Sequence, residues 1–246
     1  MVGLLVLLAL LAFVLYVRYG RGEPYPDLTE APVLDPSALE VVVTSPEPIG
    51  NIAVSADGRV FYTIHPESRP SGPKLLEWVD GVPKPFPSEE AQALFETPLG
   101  VVVDRQNRLW TIDHGNHGTG QAKLMAFDVA TGEVVHEHAF DSSVAELGSF
   151  LQDLQVDSSG EHVFIADVSF WRKNPALIVY EVASGEARRV LEGDESVSAQ
   201  DWLIRNPTKD MKFFGGLVVL KPGVDGIAIS RDDKWVYYGA MTHDTM

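Results

Sequence analysis

The sequence predicts an all-β fold built from repeated four-stranded sheets, and three observations support this. A short unit recurs four times along the chain, its first copies are spaced as the sheets of a repeat protein are, and a second pair of strands follows each of the first three copies. The composition fits a folded protein, because 45% of the 246 residues are hydrophobic and a chain of this length can bury a core.

Each copy of the unit combines a short apolar strand, a polar turn and a second strand rich in aromatic and β-branched residues, which is typical of a β-hairpin. The copies are GNIAVSADGRVFYTIHP from Gly50, LGVVVDRQNRLWTIDHGN from Leu99, QDLQVDSSGEHVFIADVS from Gln152 and DGIAISRDDKWVYYGAM from Asp225. Equivalent positions are Val54, Val103, Val156 and Ile229, which are 49, 53 and 73 residues apart. The long third interval indicates an insertion over residues 196–222.

A second hairpin follows each of the first three, with Asp80-Gly81, Thr131-Gly132 and Ser184-Gly185 at the turns. Two hairpins per repeat make the four-stranded blade of a β-propeller. Residues 49–246 supply three blades and the first hairpin of a fourth, so we expect an incomplete propeller, truncated at its C-terminus, whose complete form carries about two further blades. The alternative is a closed propeller of four blades.

The N-terminus differs from the rest of the chain. Residues 2–17 form an uncharged apolar run that would rise about 24 Å as a helix, against a hydrocarbon core of about 30 Å. We expect residues 1–19 to be an uncleaved signal anchor, the alternatives being a cleaved signal peptide or a buried core helix. Residues 20–48 are rich in proline and acid and predict an extended tether.

Charge and composition exclude several classes of protein. The chain has 35 acidic and 19 basic residues and a net charge of -16, which disfavours nucleic-acid binding. It has no cysteine, which excludes disulfides and thiolate metal sites. The sequence also lacks a nucleophile elbow, a P-loop, a Rossmann glycine fingerprint and an H-E-x-x-H motif.

Three stretches carry a family resemblance. RLWTIDHGN from Arg108, the run FLQDLQVDSSGEHVFIADVSFWRKNPALIVYEVASGEARRVLEGDESV from Phe150 and VDGIAISRDDKWVYYGAMT from Val224 resemble the major royal jelly/yellow family over most of residues 49–246. The resemblance implies a six-bladed propeller, close in architecture to the senescence-marker/gluconolactonase propellers and usually secreted. Family members include proteins of dopachrome conversion, salivary binders of biogenic amines and nutritional jelly proteins. This chain departs from the insect pattern in lacking cysteine and in carrying an N-terminal anchor.

The resemblance favours an extracytoplasmic, periplasmic or secreted, location for the folded part, held at the membrane by residues 2–17. The charges flanking the apolar run favour the opposite orientation. Arg18 and Arg21 follow the run and no basic residue precedes it, a bias that would keep the C-terminal part in the cytoplasm.

In a propeller, the starts of the innermost strands and the ends of the next strands face one rim of the central channel. The ligand-binding candidates at this rim are Asn51, Gln152, Asp153, Asp167 and Asp225. Asn51, Asp153 and Asp225 supply oxygens suited to Ca²⁺ or to an ammonium group on a ligand. The alternative is that aspartates at strand ends cap turns through hydrogen bonds to the backbone.

The candidates for a catalytic role are Asp113 and His114, because an imidazole beside a carboxylate can transfer protons near neutral pH. His117 in the same glycine-rich loop shares this chemistry, and the alternative for both histidines is a solvated surface loop. Four aromatic residues recur once per repeat, which indicates packing between blades. They are Phe61, Trp110, Phe164 and Tyr237.

Two functions follow from these residues and from the resemblance. The first is an exported propeller that binds, and converts, a small molecule at the acidic rim, with a dopachrome-like compound or a lactone as the substrate implied by the family. The ligand would be cationic or aromatic. The second is a non-catalytic extracytoplasmic binding or scaffold protein for amines or a protein partner.

Overall fold

The N-terminal apolar run forms a helix that projects from the folded domain. The computed structural model describes residues 1–206 and 208–245. Helix α1 (Val2–Tyr19) has no buried residue, and among the described residues it alone is long and apolar enough to cross a membrane. Its 18 residues rise about 27 Å, and its last residue, Tyr19, packs against Phe170 and Trp171 of the domain.

The predicted tether is fixed to the domain at its beginning. Strand β1 (Glu23–Pro24) pairs in parallel with Trp202–Leu203 of the insertion. Beyond β1, residues 25–48 contain a single 3₁₀ turn, Pro36–Ala38. Two residues of the predicted tether therefore take part in a β-pair with the insertion.

Three complete blades follow, each a four-stranded antiparallel sheet with its strands in chain order. Blade one is β2 (Ile49–Val54), β3 (Val60–Ile64), β4 (Leu75–Val79) and β5 (Val82–Pro85). Blade two is β6 (Pro98–Val103), β7 (Arg108–Asp113), β8 (Lys123–Asp128) and β9 (Val134–Ala139). Blade three is β10 (Leu151–Val156), β11 (His162–Asp167), β12 (Ala176–Glu181) and β13 (Ala187–Val190).

The insertion and a final hairpin complete the described chain. The insertion contains β14 (Trp202–Leu203), β15 (Lys212–Phe213) and β16 (Val218–Val219), and the hairpin consists of β17 (Val224–Ile229) and β18 (Val236–Ala240). Short helices lie in the connections: α2 (Gly115–Gly118) and 3₁₀ turns at Pro66–Ser68, Glu90–Leu94, Glu195–Val197 and Phe214–Gly216.

The blades are arranged around a common axis. The innermost strands β2, β6, β10 and β17 lie side by side in that order, each packed against the next. This arrangement of four-stranded sheets is that of a β-propeller, so the predicted fold class is confirmed. The expectation of two further blades stays a prediction.

Turn chemistry explains why each first hairpin forms where it does. A hydroxyl or carboxylate one position after the first strand accepts the backbone N–H group of a residue four or five positions later, which closes the turn. Ser55 accepts from Arg59 at 2.9 Å, Asp104 from Arg108 at 2.8 Å and Ser230 from Trp235 at 3.0 Å.

The core lies between the blades, as the repeated aromatic residues predict. Phe61 is buried in a cluster that joins blades one and two, and Trp110 is buried in the cluster between blades two and three. Phe164 packs against the final hairpin. Tyr237 in that hairpin is half exposed.

Candidate functional site

The innermost strands share an irregularity of pairing near their starts. Each of β2, β6, β10 and β17 has a register shift one to three residues after its start, where the pairing with the next strand skips a position. A β-bulge of this kind turns side chains away from the regular alternation of the strand. Asn51, Gln152 and Asp225 occupy these shifts, at the end of the channel where the sequence places the rim.

The rim residues meet in one cavity of about 310 Å³. Four of the predicted ligand-binding residues line it: Asn51, Gln152, Asp153 and Asp225. The other lining residues are Ile49, Gly50, Ile52 and Leu99. The cavity therefore combines two carboxylates and two amides with apolar side chains.

Asn51 and Asp153 are joined by a hydrogen bond across the channel. Asn51 Nδ2 donates to Asp153 Oδ1 at 3.0 Å, and the same carboxylate oxygen accepts the N–H group of Leu154 at 2.9 Å. The Asn51 Oδ1 atom accepts its neighbour's N–H group, from Ile52, at 2.7 Å. Burial raises the pKa of Asp153 despite these hydrogen bonds, which favour the ionised form.

Of the two carboxyl groups in the cavity, Asp225 has the more strongly raised pKa. It is 8% exposed, and no hydrogen bond to its carboxylate is present among the described residues. Burial, and then repulsion from the Asp153 carboxylate, raise its pKa to about 7. The Asp225 carboxyl group therefore gains and loses its proton near neutral pH.

Two glycines at equivalent positions show how closely the innermost strands approach. A Cβ atom on Gly100 would lie 2.6 Å from the carbonyl oxygen of Gln152 and 3.0 Å from Asp153 Cα. Gly100 therefore lets β6 pack directly against the strand that carries two rim residues. Its counterpart Gly226 in β17 has open space around the same position.

The calcium site predicted from Asn51, Asp153 and Asp225 has only two carboxylates. Within residues 1–206 and 208–245 there is no group of three or more His, Asp or Glu side chains placed to hold a metal ion. Ca²⁺ takes six to eight oxygen ligands, and the Asn51 carbonyl oxygen already accepts a backbone N–H group. The donor set fits Ca²⁺ poorly, and calcium binding stays a prediction.

Asp113 does not reach the rim cavity. Its carboxylate accepts the N–H groups of Glu96 at 2.6 Å, Thr97 at 2.9 Å and Gly115 at 3.0 Å, and the Thr97 hydroxyl at 3.0 Å. Three of these hydrogen bonds tie the end of β7 to the segment before β6, and the fourth, from Gly115, closes the turn after β7. The side chain performs the turn-capping role that the sequence left open as its alternative.

Asp167, at the equivalent position of blade three, is also outside the cavity. It is fully buried, and its carboxylate accepts from the N–H groups of Phe150 and Ser169 and from Arg189 at 2.7 Å. The ion pair with Arg189 neutralises its charge within the blade. The structure thus separates Asp167 from the ligand-binding candidates with which the sequence grouped it.

His114 is placed where proton transfer near neutral pH is unfavourable. Its ring is buried against Phe150, with ring centroids 4.4 Å apart, and its Nδ1 atom accepts the N–H group of His117 at 3.0 Å. Burial and the neighbouring His117 lower its pKa to about 3, so the imidazole stays neutral under physiological conditions. The catalytic role predicted for His114 stays a prediction.

His117 pairs with a carboxylate that the sequence did not indicate. Its Nε2 atom lies 2.7 Å from Glu67 Oε1, and its ring stacks on Phe150 at 4.7 Å. His117 and Glu67 are 50 residues apart, on the loops of neighbouring blades. The contact therefore joins blades one and two at the same end of the propeller as the rim.

A sequence comparison assigns the chain to a family. The model of the major royal jelly protein family matches residues 97–245, more than half of the chain. The chain belongs to the major royal jelly protein family. A search of curated protein sequences found no match.

Solved structures similar to this family member share low sequence identity with it. Hydrazine synthase of Kuenenia stuttgartiensis has a TM-score of 0.48 and 13% identity over 77% of this chain and 49% of its own, so this chain spans about half of its length. A nidogen/laminin complex has a TM-score of 0.45 and 13% identity over 78% of this chain and 72% of its own. An auxiliary nutrient binding protein of Bacteroides ovatus has a TM-score of 0.44 and 10% identity over 79% of this chain and 43% of its own.

Proposed function

We propose that this royal jelly family protein is an exported, membrane-anchored propeller that binds a small cationic molecule in the rim cavity. One observation carries the proposal: the buried Asp225 and the half-buried Asp153 line the same cavity, and no cationic side chain of the described residues neutralises them. Burial raises the pKa of both carboxyl groups and reduces their hydration, and a ligand that brings a positive charge compensates this cost.

The chemistry of the cavity favours an organic ammonium group over a bare metal ion. Ile49, Ile52 and Leu99 line one part of the cavity, where they would contact the apolar body of a ligand. Asp153 and Asp225 would accept hydrogen bonds from the ammonium group, and the amide of Gln152 offers a further polar contact. The predicted ligand is therefore an amine with an aromatic or other apolar body.

Conversion of the bound molecule is a second candidate function, and the environment of Asp225 favours it. A carboxyl group with a pKa of about 7 exchanges protons at neutral pH and suits general acid or base catalysis. It would serve the isomerisation of a dopachrome-like compound or the activation of water on a lactone. If the protein converts its ligand, we expect an Asp225→Asn variant to bind the substrate more weakly and to lose turnover entirely.

Calorimetric titration of the detergent-solubilised full chain with tyramine tests the binding function. Each of Asp153→Asn and Asp225→Asn should weaken tyramine binding about tenfold or more, because each removes a charge-assisted hydrogen bond. Asp80→Asn is the matched control, since Asp80 lies in an exposed turn of blade one and its variant should bind as the wild type does.

Three results separate the alternatives. Equal tyramine binding by wild type and Asp225→Asn would contradict the proposed site. Binding of calcium chloride, lost in Asp153→Asn, would restore the calcium prediction. Absence of binding for tyramine and calcium alike would favour the non-catalytic scaffold for a protein partner.

A further inference from the structure

A second cavity, of about 310 Å³, lies where helix α1 meets blade three. Three cationic side chains line it, from distant parts of the chain: Arg18 at the end of α1, Lys173 after blade three's second strand and Lys221 at the end of the insertion. Ser169 and Asp201 also line it. This cavity is distinct from the rim cavity, with which it shares no residue.

The positive charge of this cavity exceeds its negative charge. Lys221 is balanced, since its Nζ atom donates to Asp201 Oδ1 at 2.6 Å and to the Gly20 carbonyl at 2.8 Å. Lys173 makes no salt bridge among the described residues, and its Nζ atom lies 4.6 Å from the ring centroid of Phe170. Burial, and then the charges of Lys221 and Arg18, lower the pKa of Lys173 to about 8.

A buried hydroxyl completes the polar lining. Ser169 is fully buried, its Oγ atom has no hydrogen-bond partner, and the residue borders the cavity. A buried hydroxyl without a partner is costly unless a ligand supplies one. An unneutralised ammonium group and a free hydroxyl at one cavity are together suited to the oxygens of an anion.

The position of the cavity indicates where that anion comes from. Arg18 and Tyr19 are the last residues of the exposed apolar helix, so the cavity lies at the level of the lipid headgroups when α1 is in a membrane. Exposed aromatic side chains surround the same end of the helix: Trp171, and Phe213 and Phe214 of the β15–β16 hairpin that packs against α1. Aromatic residues are enriched at membrane interfaces.

We propose that this cavity binds the phosphate headgroup of an anionic phospholipid from the membrane that α1 enters. The proposal rests on the membrane anchoring proposed above and is independent of ligand binding at Asp153 and Asp225. The net charge of -16 does not oppose lipid binding, because the electrostatic field of distant charges is screened within about 8 Å at physiological salt. The lipid therefore interacts with the local excess of positive charge at Lys173 and Arg18. Bound lipid would hold the propeller in a fixed orientation at the surface.

Native mass spectrometry of the full chain tests this proposal. The chain is reconstituted in nanodiscs of equal parts phosphatidylglycerol and phosphatidylcholine and then released. We expect phosphatidylglycerol to be retained about fivefold over phosphatidylcholine, the preference given by one additional charge contact at a membrane surface. Lys173→Gln should abolish the preference and Lys173→Arg should keep it. Lys84→Gln is the matched control, because Lys84 is an exposed lysine of blade one.

The outcomes distinguish this proposal from the others. Equal retention of both lipids by the wild type, or an unchanged preference in Lys173→Gln, would overturn it. Displacement of the lipid by millimolar inorganic phosphate would also overturn it, by identifying a site for free phosphate. Failure of the chain to enter nanodiscs would reject membrane anchoring and this proposal together, whereas tyramine binding at the rim would be unaffected.

Discussion

At the scale of single residues, Asp225 couples the stability of the propeller to pH. Its pKa of about 7 in the folded protein exceeds its ordinary value of 3.8, so the folded state holds a proton that the unfolded state releases. The stabilisation from this proton is complete below pH 3.8 and is lost as the pH rises through about 7.

We therefore expect the wild-type chain to lose stability relative to Asp225→Asn as the pH rises from about 5 to about 7, by up to about 1.4 kcal/mol per pH unit. Asparagine carries no charge at any pH, so the variant lacks this term. Urea unfolding of both proteins in the same detergent, without ligand, measures the difference. Parallel stability profiles would show that Asp225 ionises normally in the folded protein.

The residues of the rim cavity were predictable, and the reason is the repeat. Asn51 and Asp153 are equivalent positions, Gln152 and Asp225 are another equivalent pair, and equivalent positions of a propeller converge on its axis. Asp113 is also at a strand end, but its side chain is held away from the rim cavity by the loop that brings the N–H groups of Glu96 and Thr97 to it. Loop geometry of this kind leaves no periodic signal in a sequence.

At the scale of structural elements, the hairpins were predictable because alternation and turn residues are local features. Two other features could not be predicted, because they depend on partners that are distant in the sequence. The first is the bulge near the start of each innermost strand, which is defined by its pairing with another strand. The pairing of β1 with β14 joins residues about 180 positions apart, each in a segment of two residues too short to show a strand pattern.

Packing between innermost strands predicts a contrast between two glycines at the same position of the repeat. Gly100→Ala places a Cβ atom against backbone atoms of β10, which cannot move without displacing Asp153, so we expect a destabilisation of about 1–3 kcal/mol and weaker tyramine binding. Gly226→Ala meets no atom within 4 Å and should change stability by less than about 0.5 kcal/mol. Urea unfolding of the two variants tests this, and equal effects would contradict the close approach of β6 and β10.

At the scale of the whole molecule, α1 and the propeller are joined by hydrogen bonds as well as by the polypeptide chain. Tyr19 donates its hydroxyl hydrogen to the Trp171 carbonyl at 2.7 Å, and Arg18 donates to the Arg172 carbonyl at 2.9 Å. These bonds fix the end of the helix to the loop that follows blade three's second strand. An anchored propeller would therefore present a defined face to the membrane, with the lipid cavity beside the helix.

Membrane anchoring by α1 predicts how the chain fractionates. The wild type should stay in the membrane pellet after an alkaline carbonate wash, whereas Leu8→Arg with Leu11→Arg should move to the supernatant, because an arginine at the centre of a spanning helix costs about 2.5–3.5 kcal/mol. Leu39→Arg with Val41→Arg is the matched control, since both residues are exposed in the tether, and it should fractionate as the wild type does. Release of the wild type by carbonate, or retention of the helix variant, would show that α1 does not hold the propeller at a membrane.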